Sequence, residues 1–264
     1  MDSIQKLAEK YPGFGVVHDH RASPRADVPL IEPISYTHTR VLPAPASLLK
    51  KNRIITASDD TAALTAYKML RTQVLQRMRA NGWSTLAVTS PGAGEGKTLT
   101  SINLAISLAK EVNHTVLLVD LDLRRPSVAR YFGCEPSYGL RDYLTDNIPL
   151  KDILFNPGIE RLAVLPGSKP LLDSSELLST PKMVRLAQEM KGRYAGRIVI
   201  YDMPPILLAD DVIAFSPNVD AVLLVVQEGK THKNDLKKAM DLLQVVNVVG
   251  TVLNQTQDAV PGYY

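Results

Sequence analysis

The residues most able to do chemistry lie in residues 90–98, a short segment that combines closely spaced glycines with a lysine and a threonine. Glycines at alternate positions let the backbone turn its N–H groups around phosphate oxygens, and the start of a following helix adds its positive dipole end. Lys97 would neutralise the β- and γ-phosphates of a nucleotide, and Thr98 would bind Mg²⁺. The predicted nucleotide-contacting residues of this loop are Gly92, Ala93, Gly94, Glu95, Gly96, Lys97, Thr98 and Leu99.

A phosphate-binding loop of this kind needs a strand before it and a helix after it. Residues 85–89 have a strand pattern that runs into the loop, and a helical pattern follows over residues 98–110. A glycine-rich turn that merely connects the two elements would not explain Gly-Lys-Thr at the helix start. Pro91 departs from the strict motif, which has glycine there. The context therefore predicts binding of ATP with Mg²⁺.

Two further strand patterns end in aspartates. Residues 115–119 are followed by Asp120 and Asp122, and residues 197–201 by Asp202. Ligands bind at the carboxyl ends of strands in open α/β sheets, so these carboxylates are candidates for chemistry. Asp120 and Asp122 would point to one side of an extended chain, where a Mg²⁺-bound triphosphate could engage both. Asp202 would hold Mg²⁺ directly or through water.

Charged residues near these strands have more than one reading. Arg124 and Arg125 could steady phosphate charge or bind a partner subunit, or they could pair with the aspartates in a solvated turn. The pair Asp210-Asp211 is interpreted as a helix amino-terminal cap rather than a metal site.

The elements that must position these residues alternate between strand and helix, which predicts an α/β fold with a parallel sheet flanked by helices. An amphipathic helix over residues 59–79, with Asp59 and Asp60 as possible caps, precedes the first strand. The predicted strands are 85–89, 115–120, 161–165, 198–202, 221–226 and 248–253, with helices at 98–110, 175–191 and 233–246.

Composition divides the chain and excludes some functions. Residues 1–55 carry scattered prolines and little periodicity, so they are predicted to form a mostly irregular arm with one short helix near residues 4–10. Residues 56–256 are the predicted ATP-binding domain, and residues 257–264 a flexible tail. The net charge of +3 gives no case for nucleic-acid binding. One cysteine, Cys134, permits no internal disulfide, and no apolar run is long enough to cross a bilayer, so we expect a cytoplasmic location.

The segments SPGAGEGKT, VLLVDLDLRRP and IVIYDMPP, in this order, resemble the three nucleotide motifs of bacterial tyrosine kinases, the CpsD/CapB-like autokinases of capsule and exopolysaccharide export. The resemblance covers roughly residues 55–255 and implies the P-loop NTPase fold of the MinD/ParA-like (deviant Walker) type. It implies that Asp120 accepts the tyrosine hydroxyl proton and that Asp122 and Asp202 position the metal. It also places Asn254 near the nucleotide base. Asn254 could equally be an ordinary turn residue at the end of a strand.

The same resemblance implies acceptors and partners. The family's phosphate acceptors are tyrosines at the carboxyl terminus, phosphorylated between neighbouring subunits of a ring, and this sequence has Tyr263 and Tyr264. The helix before the loop often has Glu and two Arg in the family, where this chain has Thr65, Lys68 and Arg71. The implied partners are further copies of the chain, protein tyrosine substrates and an integral-membrane polysaccharide co-polymerase, through which the chain would sit peripherally at the inner membrane.

Two other functions compete with kinase activity. A ParA/MinD-like ATPase switch would share the fold, but its loop carries a signature lysine five residues before the phosphate lysine, and Gly92 stands there. The chain also lacks the basic amphipathic carboxyl-terminal helix expected of a membrane-targeted switch. A regulator that binds ATP without catalysis and controls a polysaccharide co-polymerase is not excluded by the sequence.

Overall fold

The strands form one mostly parallel sheet in the computed structural model, which describes residues 39–56, 62–194 and 196–256. All of these residues belong to one compact unit. The sheet order is β1-β4-β5-β3-β6-β2-β7-β8, and only the β4–β5 pair is antiparallel in this part of the chain. The strands are β1 Arg40–Val41, β2 Thr85–Thr89, β3 Thr115–Asp120, β4 Phe155–Asn156, β5 Leu162–Leu165, β6 Arg197–Asp202, β7 Ala221–Gln227 and β8 Asn247–Asn254. The predicted α/β class is confirmed.

Helices connect the strands and cover the sheet. They are α1 Ala46–Lys51, α2 Ala62–Asn81, α3 Lys97–Ala109, α4 Val128–Tyr131, α5 Leu140–Asp146, α6 Leu150–Ile153, α7 Ser174–Leu178, α8 Pro181–Gly192, α9 Asp211–Phe215 and α10 Lys233–Leu242, with 3₁₀ turns at Ser216–Asn218 and Leu243–Val245. Within residues 39–56, 62–194 and 196–256, no helix is long and apolar enough to cross a membrane.

The core lies on both faces of the sheet because successive strand residues point to opposite sides. In β3, Val116 and Leu118 pack into the cluster that includes α2 and α3, whereas Leu117 and Val119 pack into the cluster that includes α8. Continuous burial of both faces explains why the central strands read as uninterrupted apolar runs. The sheet is thereby fixed between two helical layers.

Helix boundaries differ from the predictions where local signals were missed. The helix predicted over residues 175–191 is two helices, since Thr180 caps α8 through Met183 N and Pro181 occupies its first turn. The predicted helix over residues 233–246 ends at Leu242 and continues as a 3₁₀ turn. The amphipathic helix predicted before β2 is observed as α2, and its proposed caps Asp59 and Asp60 lie outside the described residues.

The prediction of an irregular arm over residues 1–55 is wrong for residues 40–55. Strand β1 pairs with β4, α1 follows it, and Ile54 and Ile55 are buried in the core. The side chain of Asn103 in α3 holds this segment, since it accepts a hydrogen bond from Ile55 N and donates one to Arg53 O. Burial of the two isoleucines outweighs the weak local pattern. The remaining arm, residues 1–38 with the predicted helix near 4–10, and the tail 257–264 lie outside the described residues.

Candidate active site

The glycine-rich loop joins β2 to α3 at the carboxyl edge of the sheet, as the sequence predicted. Gly94 and Gly96 have φ angles of 76° and 93°, a region that side chains rarely adopt. A Cβ atom on Gly96 would also lie 2.0 Å from Nδ2 of Asn254. Both the conformation and the close approach therefore require glycine at position 96.

Lys97 and Thr98, the first residues of α3, meet the carboxylates that follow β3 and end β6. Lys97 Nζ lies 2.7 Å from Oδ2 of Asp122 and 3.9 Å from Oδ2 of Asp202. Thr98 Oγ1 donates to Asp202 Oδ2 at 2.7 Å. Ser101, which sequence reasoning missed, donates to Asp202 Oδ1 at 3.0 Å. Its position four residues after Lys97 places it on the same helix face, and this spacing was the available signal.

Asp120 has a different set of partners from Asp122. Its Oδ2 accepts the N–H groups of Ser127 and Val128 at 2.9 and 3.0 Å, which ties the start of α4 to the end of β3. Its Oδ1 is buried with no hydrogen-bond partner among the described residues. Asp120 and Asp122 therefore have different hydrogen-bond partners, and their pointing to one side of the chain stays a prediction.

Burial and mutual repulsion dominate the electrostatics of these carboxyl groups. Burial, reinforced by the charge of Asp202, raises the pKa of Asp120 to about 8. Burial also raises the pKa of Asp202, although Lys97 and Thr98 oppose it. Burial alone would lower the pKa of Lys97, but Asp202 and Asp122 raise it above its ordinary value. Lys97 therefore stays positively charged beside Asp202, whose raised pKa means that its carboxyl binds a proton more readily than an exposed aspartate does.

Two residues that the sequence did not single out, Lys230 and Thr231, contact the loop. Glu95 is buried, and its Oε2 accepts Gly92 N at 2.9 Å while Oε1 accepts the hydroxyl of Thr231. Lys230 Nζ donates to Ala93 O at 2.9 Å. Thr231 and Lys230 follow β7, far along the chain from the loop, so no local spacing could have identified them.

Asn254 and Arg124 occupy defined positions at this edge. Asn254, the last residue of β8, donates through Nδ2 to Glu95 O at 2.9 Å. Arg124 Nε lies 3.2 Å from Oδ2 of buried Asp211, and Nη2 lies 3.4 Å from Oδ1 of Asp210. The reading in which Arg124 pairs with Asp120 or Asp122 is therefore wrong, because a distant helix supplies its partners. Asp210 precedes the first residue of α9, as predicted, but makes no side-chain capping hydrogen bond.

A cavity of about 1030 Å³ opens over the loop. The predicted site residues that line it are Ala93, Gly94, Gly96, Lys97, Thr98, Leu99, Asp122, Arg124 and Asn254. Buried Asp120 and Asp202, as well as Gly92 and Glu95, do not line it. The fold thus brings most of the predicted nucleotide residues to one cavity.

The donor set fits Mg²⁺ bound together with phosphates. In the described part of the chain, no three His, Cys, Asp or Glu side chains are grouped to hold a metal by themselves. Magnesium at nucleotide sites takes only one or two carboxylates and completes its shell with phosphate and water oxygens. The Thr98 hydroxyl at 2.7 Å from Asp202 supplies hard oxygen ligands of this kind.

Arg71, in the helix before the loop, has partners within its own chain. Arg71 of α2 donates to Ser107 O and pairs with Glu111 at 3.1 Å, which fastens α2 to α3. Thr65 and Lys68, on the same helix, are exposed. Arg71 is thus engaged by residues of its own chain.

Comparison with known proteins shows the family of the chain. The AAA-domain family profile matches residues 84–257. The chain is 31% identical over 216 residues to the tyrosine-protein kinase YwqD of Bacillus subtilis, covering 78% of this chain and 90% of that protein.

Two solved structures are similar to the fold. The kinase domain of the Escherichia coli tyrosine kinase ETK superposes with a TM-score of 0.68 at 26% identity, over 85% of this chain and 94% of that one. The septum site-determining protein MinD from Pyrococcus horikoshii, solved with Mg-ADP, gives 0.54 at 21% identity, over 67% and 73%, and is similar in fold alone. The chain therefore belongs to the AAA-domain P-loop NTPases and, within them, to the bacterial tyrosine-protein kinase family.

Proposed function

We propose that this protein is a tyrosine-protein kinase that transfers the γ-phosphoryl group of ATP to tyrosine hydroxyls, its own carboxyl-terminal tyrosines among them. The observation that carries the proposal is Lys97, held between Asp122 and Asp202 at the start of α3 and exposed to the cavity. A charged group in that position suits a transferring phosphoryl group, whose catalysis depends on positioning and charge neutralisation.

Each residue has a separate role in this proposal. The loop N–H groups and Lys97 bind the phosphates, Asn254 and Leu99 border the rest of the nucleotide, and Thr98, Asp122 and Asp202 hold Mg²⁺. When bound, Mg²⁺ would neutralise charge on the β- and γ-phosphate oxygens. In the transfer, the bond from the γ-phosphorus to the ADP oxygen breaks as the bond to the tyrosine oxygen forms.

Asp120 takes the tyrosine proton in this proposal. Its Oδ1 makes no hydrogen bond within the described residues, so one oxygen is free to accept a proton. A pKa near 8 matches the requirement for a base that works near neutral pH. Against this role, Asp120 is buried whereas Asp122 lines the cavity. Asp120→Asn should abolish transfer and retain ATP binding; if only Asp122→Asn does so, Asp122 is the base.

The defining experiment follows label from ATP. Purified protein with labelled ATP and Mg²⁺ should gain phosphotyrosine, located by mass spectrometry at Tyr263 or Tyr264, and Lys97→Met should prevent it. Both tyrosines lie outside the described residues. If the double variant Tyr263→Phe/Tyr264→Phe still gains label, another residue is the phosphate acceptor. ATP binding with no transfer would favour the non-catalytic regulator, and hydrolysis without transfer the ATPase switch.

The cellular setting rests on family resemblance. We place the protein on the cytoplasmic face of the inner membrane, in capsule or exopolysaccharide synthesis, held by a polysaccharide co-polymerase and by further copies of itself. Co-purification of the protein with such a membrane protein from detergent extracts tests the partner.

Because Arg71 is engaged within the chain, Arg71→Ala should loosen α2 from α3 even in a monomer. Light scattering of the purified chain with ATP measures the oligomeric state.

A further inference from the structure

A group of cations lines the cavity beyond the phosphate loop. Lys51 and Arg53, at and after the end of α1, and Arg125 and Arg130, before and within α4, all contribute to its wall and all are exposed. We call these four residues the basic rim. The rim belongs to the same cavity as Lys97, so an anion bound there would lie beside the nucleotide.

The other cations of the cavity already have partners. Lys97 pairs with Asp122 at 2.7 Å, and Arg124 with Asp211 at 3.2 Å. No salt bridge involves a rim residue within residues 39–56, 62–194 and 196–256; Arg130 donates only to the carbonyl of Pro126. Like charges on one wall repel each other unless an anion joins them. The rim therefore presents positive charge that internal pairing does not neutralise.

Hydrogen bonds hold the two halves of the rim against each other. Asn52, between the two rim residues of the first half, donates to Tyr131 O at the end of α4 at 2.7 Å. Asn103 of α3 fixes Arg53 O, so this half is also tied to the helix that begins with Lys97. The charges are thus mounted on a connected backbone framework, which favours a defined binding surface.

Apolar surface faces the same cavity. Leu172 and Leu208 line it, and they are 81% and 62% exposed. Exposed leucines beside unpaired cations match a ligand that carries an aromatic or aliphatic group next to negative charge. A tyrosine flanked by acidic residues has this chemistry, whereas the phosphates of ATP account for the charge at Lys97.

We propose that the basic rim is the recognition surface of this kinase for other protein substrates and selects tyrosines flanked by Asp or Glu, unlike its own Tyr263 and Tyr264, which follow Pro261 and Gly262. This inference rests on the proposed function, since the substrate must reach the phosphoryl group at Lys97. The contacts between the rim and the carboxylates of the substrate would be solvent-exposed ion pairs. Each would add little binding energy, but together they would favour acidic peptides. The selectivity should weaken as salt rises, because exposed charges are screened.

The test compares peptides that differ only in charge. The full chain is given a short peptide with one tyrosine between glutamates, or the same peptide with glutamines. We expect kcat/KM about tenfold higher for the glutamate peptide at low ionic strength. Arg53→Gln/Arg125→Gln should bring the two peptides to within about twofold of each other, with the KM for ATP nearly unchanged. The matched control, Lys237→Gln/Lys238→Gln, removes two exposed charges of α10 outside the cavity and should keep the preference.

A second readout does not depend on catalysis. The glutamate peptide with phenylalanine in place of tyrosine, carrying a fluorophore, should bind the ADP-loaded chain with higher anisotropy than its glutamine counterpart, and the rim double variant should lose this difference. Equal phosphorylation and equal binding of both peptides would overturn the rim proposal and leave the kinase proposal standing. Absence of phosphorylation in every peptide, with ATP bound, would overturn the proposed function, and with it this inference.

Discussion

Aspartates stand at both edges of the central sheet, and their surroundings differ. At the carboxyl edge, Asp120 and Asp202 are buried together, and burial raises the pKa of both. At the amino edge, Asp220 accepts the N–H groups of Ser84 and Thr85 at 2.9 and 3.0 Å and pairs with Lys191 at 2.6 Å. Burial would raise the pKa of Asp220, but these hydrogen bonds lower it below its ordinary value.

The difference separates a structural carboxylate from carboxylates suited to ligand binding. Every strong partner of Asp220 is part of the protein, so its charge stabilises the fold. Asp120 and Asp202 are buried close to Lys97, and burial disfavours their charged forms, so a bound cation would stabilise those charges. Both behaviours can be tested by substitution at matched positions on the two edges.

The largest effect is expected at Lys97. Lys97→Met should lower tyrosine phosphorylation by about a thousandfold, because the developing phosphoryl charge loses its nearest cation. Quantitative anti-phosphotyrosine detection under saturating ATP measures it. The matched change at the amino edge, Lys191→Met, removes the partner of Asp220 and should leave transfer unchanged while reducing stability by about 0.2–1 kcal/mol. An equal loss of phosphorylation in the Lys97 and Lys191 variants would contradict separate roles for the two edges of the sheet.

Removal of Asp220 should cost stability rather than activity. Asp220→Ala leaves Ser84 N and Thr85 N without their acceptor, so the free energy of unfolding should fall by about 1–3 kcal/mol at pH 7. Because its folded pKa is depressed, this contribution exists above the unfolded pKa of about 3.9 and is lost as pH falls through the folded value. Urea unfolding at pH 7 and pH 3 measures the difference, and exposed Asp146→Ala is the control, expected to change little at either pH.

Asp120 should show the opposite sign. Its folded pKa of about 8 lies above the unfolded value near 3.9, so stability is greatest at low pH and is lost as pH rises toward 8. Asp120→Asn keeps an oxygen for Ser127 N and Val128 N but cannot ionise. Without nucleotide or Mg²⁺, this variant should be more stable than the parent at pH 8, by roughly a few kcal/mol. The quantity to compare is the difference in unfolding free energy between variant and parent. If this difference disfavours the variant more at pH 8 than at pH 5, the Asp120 charge stabilises the fold.

The smallest effect concerns the contact of Thr231 with the loop. Thr231→Val removes the hydroxyl that donates to Glu95, so the KM for ATP should rise about threefold while kcat changes less. Steady-state kinetics with ATP varied measure both constants. Thr145→Val, an exposed threonine of α5 whose hydroxyl bonds only locally, should leave them unchanged. A fall in kcat alone would mean that Thr231 acts on the transfer itself.

The sequence predicted the central strands well because buried parallel strands leave continuous apolar runs. It failed where long-range contacts override weak local patterns. Residues 40–55 carry prolines and look irregular, yet β1 adds to the sheet and Ile54 and Ile55 enter the core. The periodicity predicted one helix over residues 175–191, but Thr180 and Pro181 begin a new helix within it. Nothing near Arg124 in the sequence indicates that Asp211 is its partner.

By itself, the sequence determined the phosphate loop, its lysine and threonine, and the aspartates at strand ends, because these features depend on residue type and short spacing. Only the tertiary structure decided which partner each carboxylate has. Asp122 pairs with Lys97, Asp120 accepts hydrogen bonds from the start of α4, and Glu95 accepts one from Thr231. Such pairs join residues that only the packing of the sheet and its helices brings within hydrogen-bond distance, so no local pattern records them.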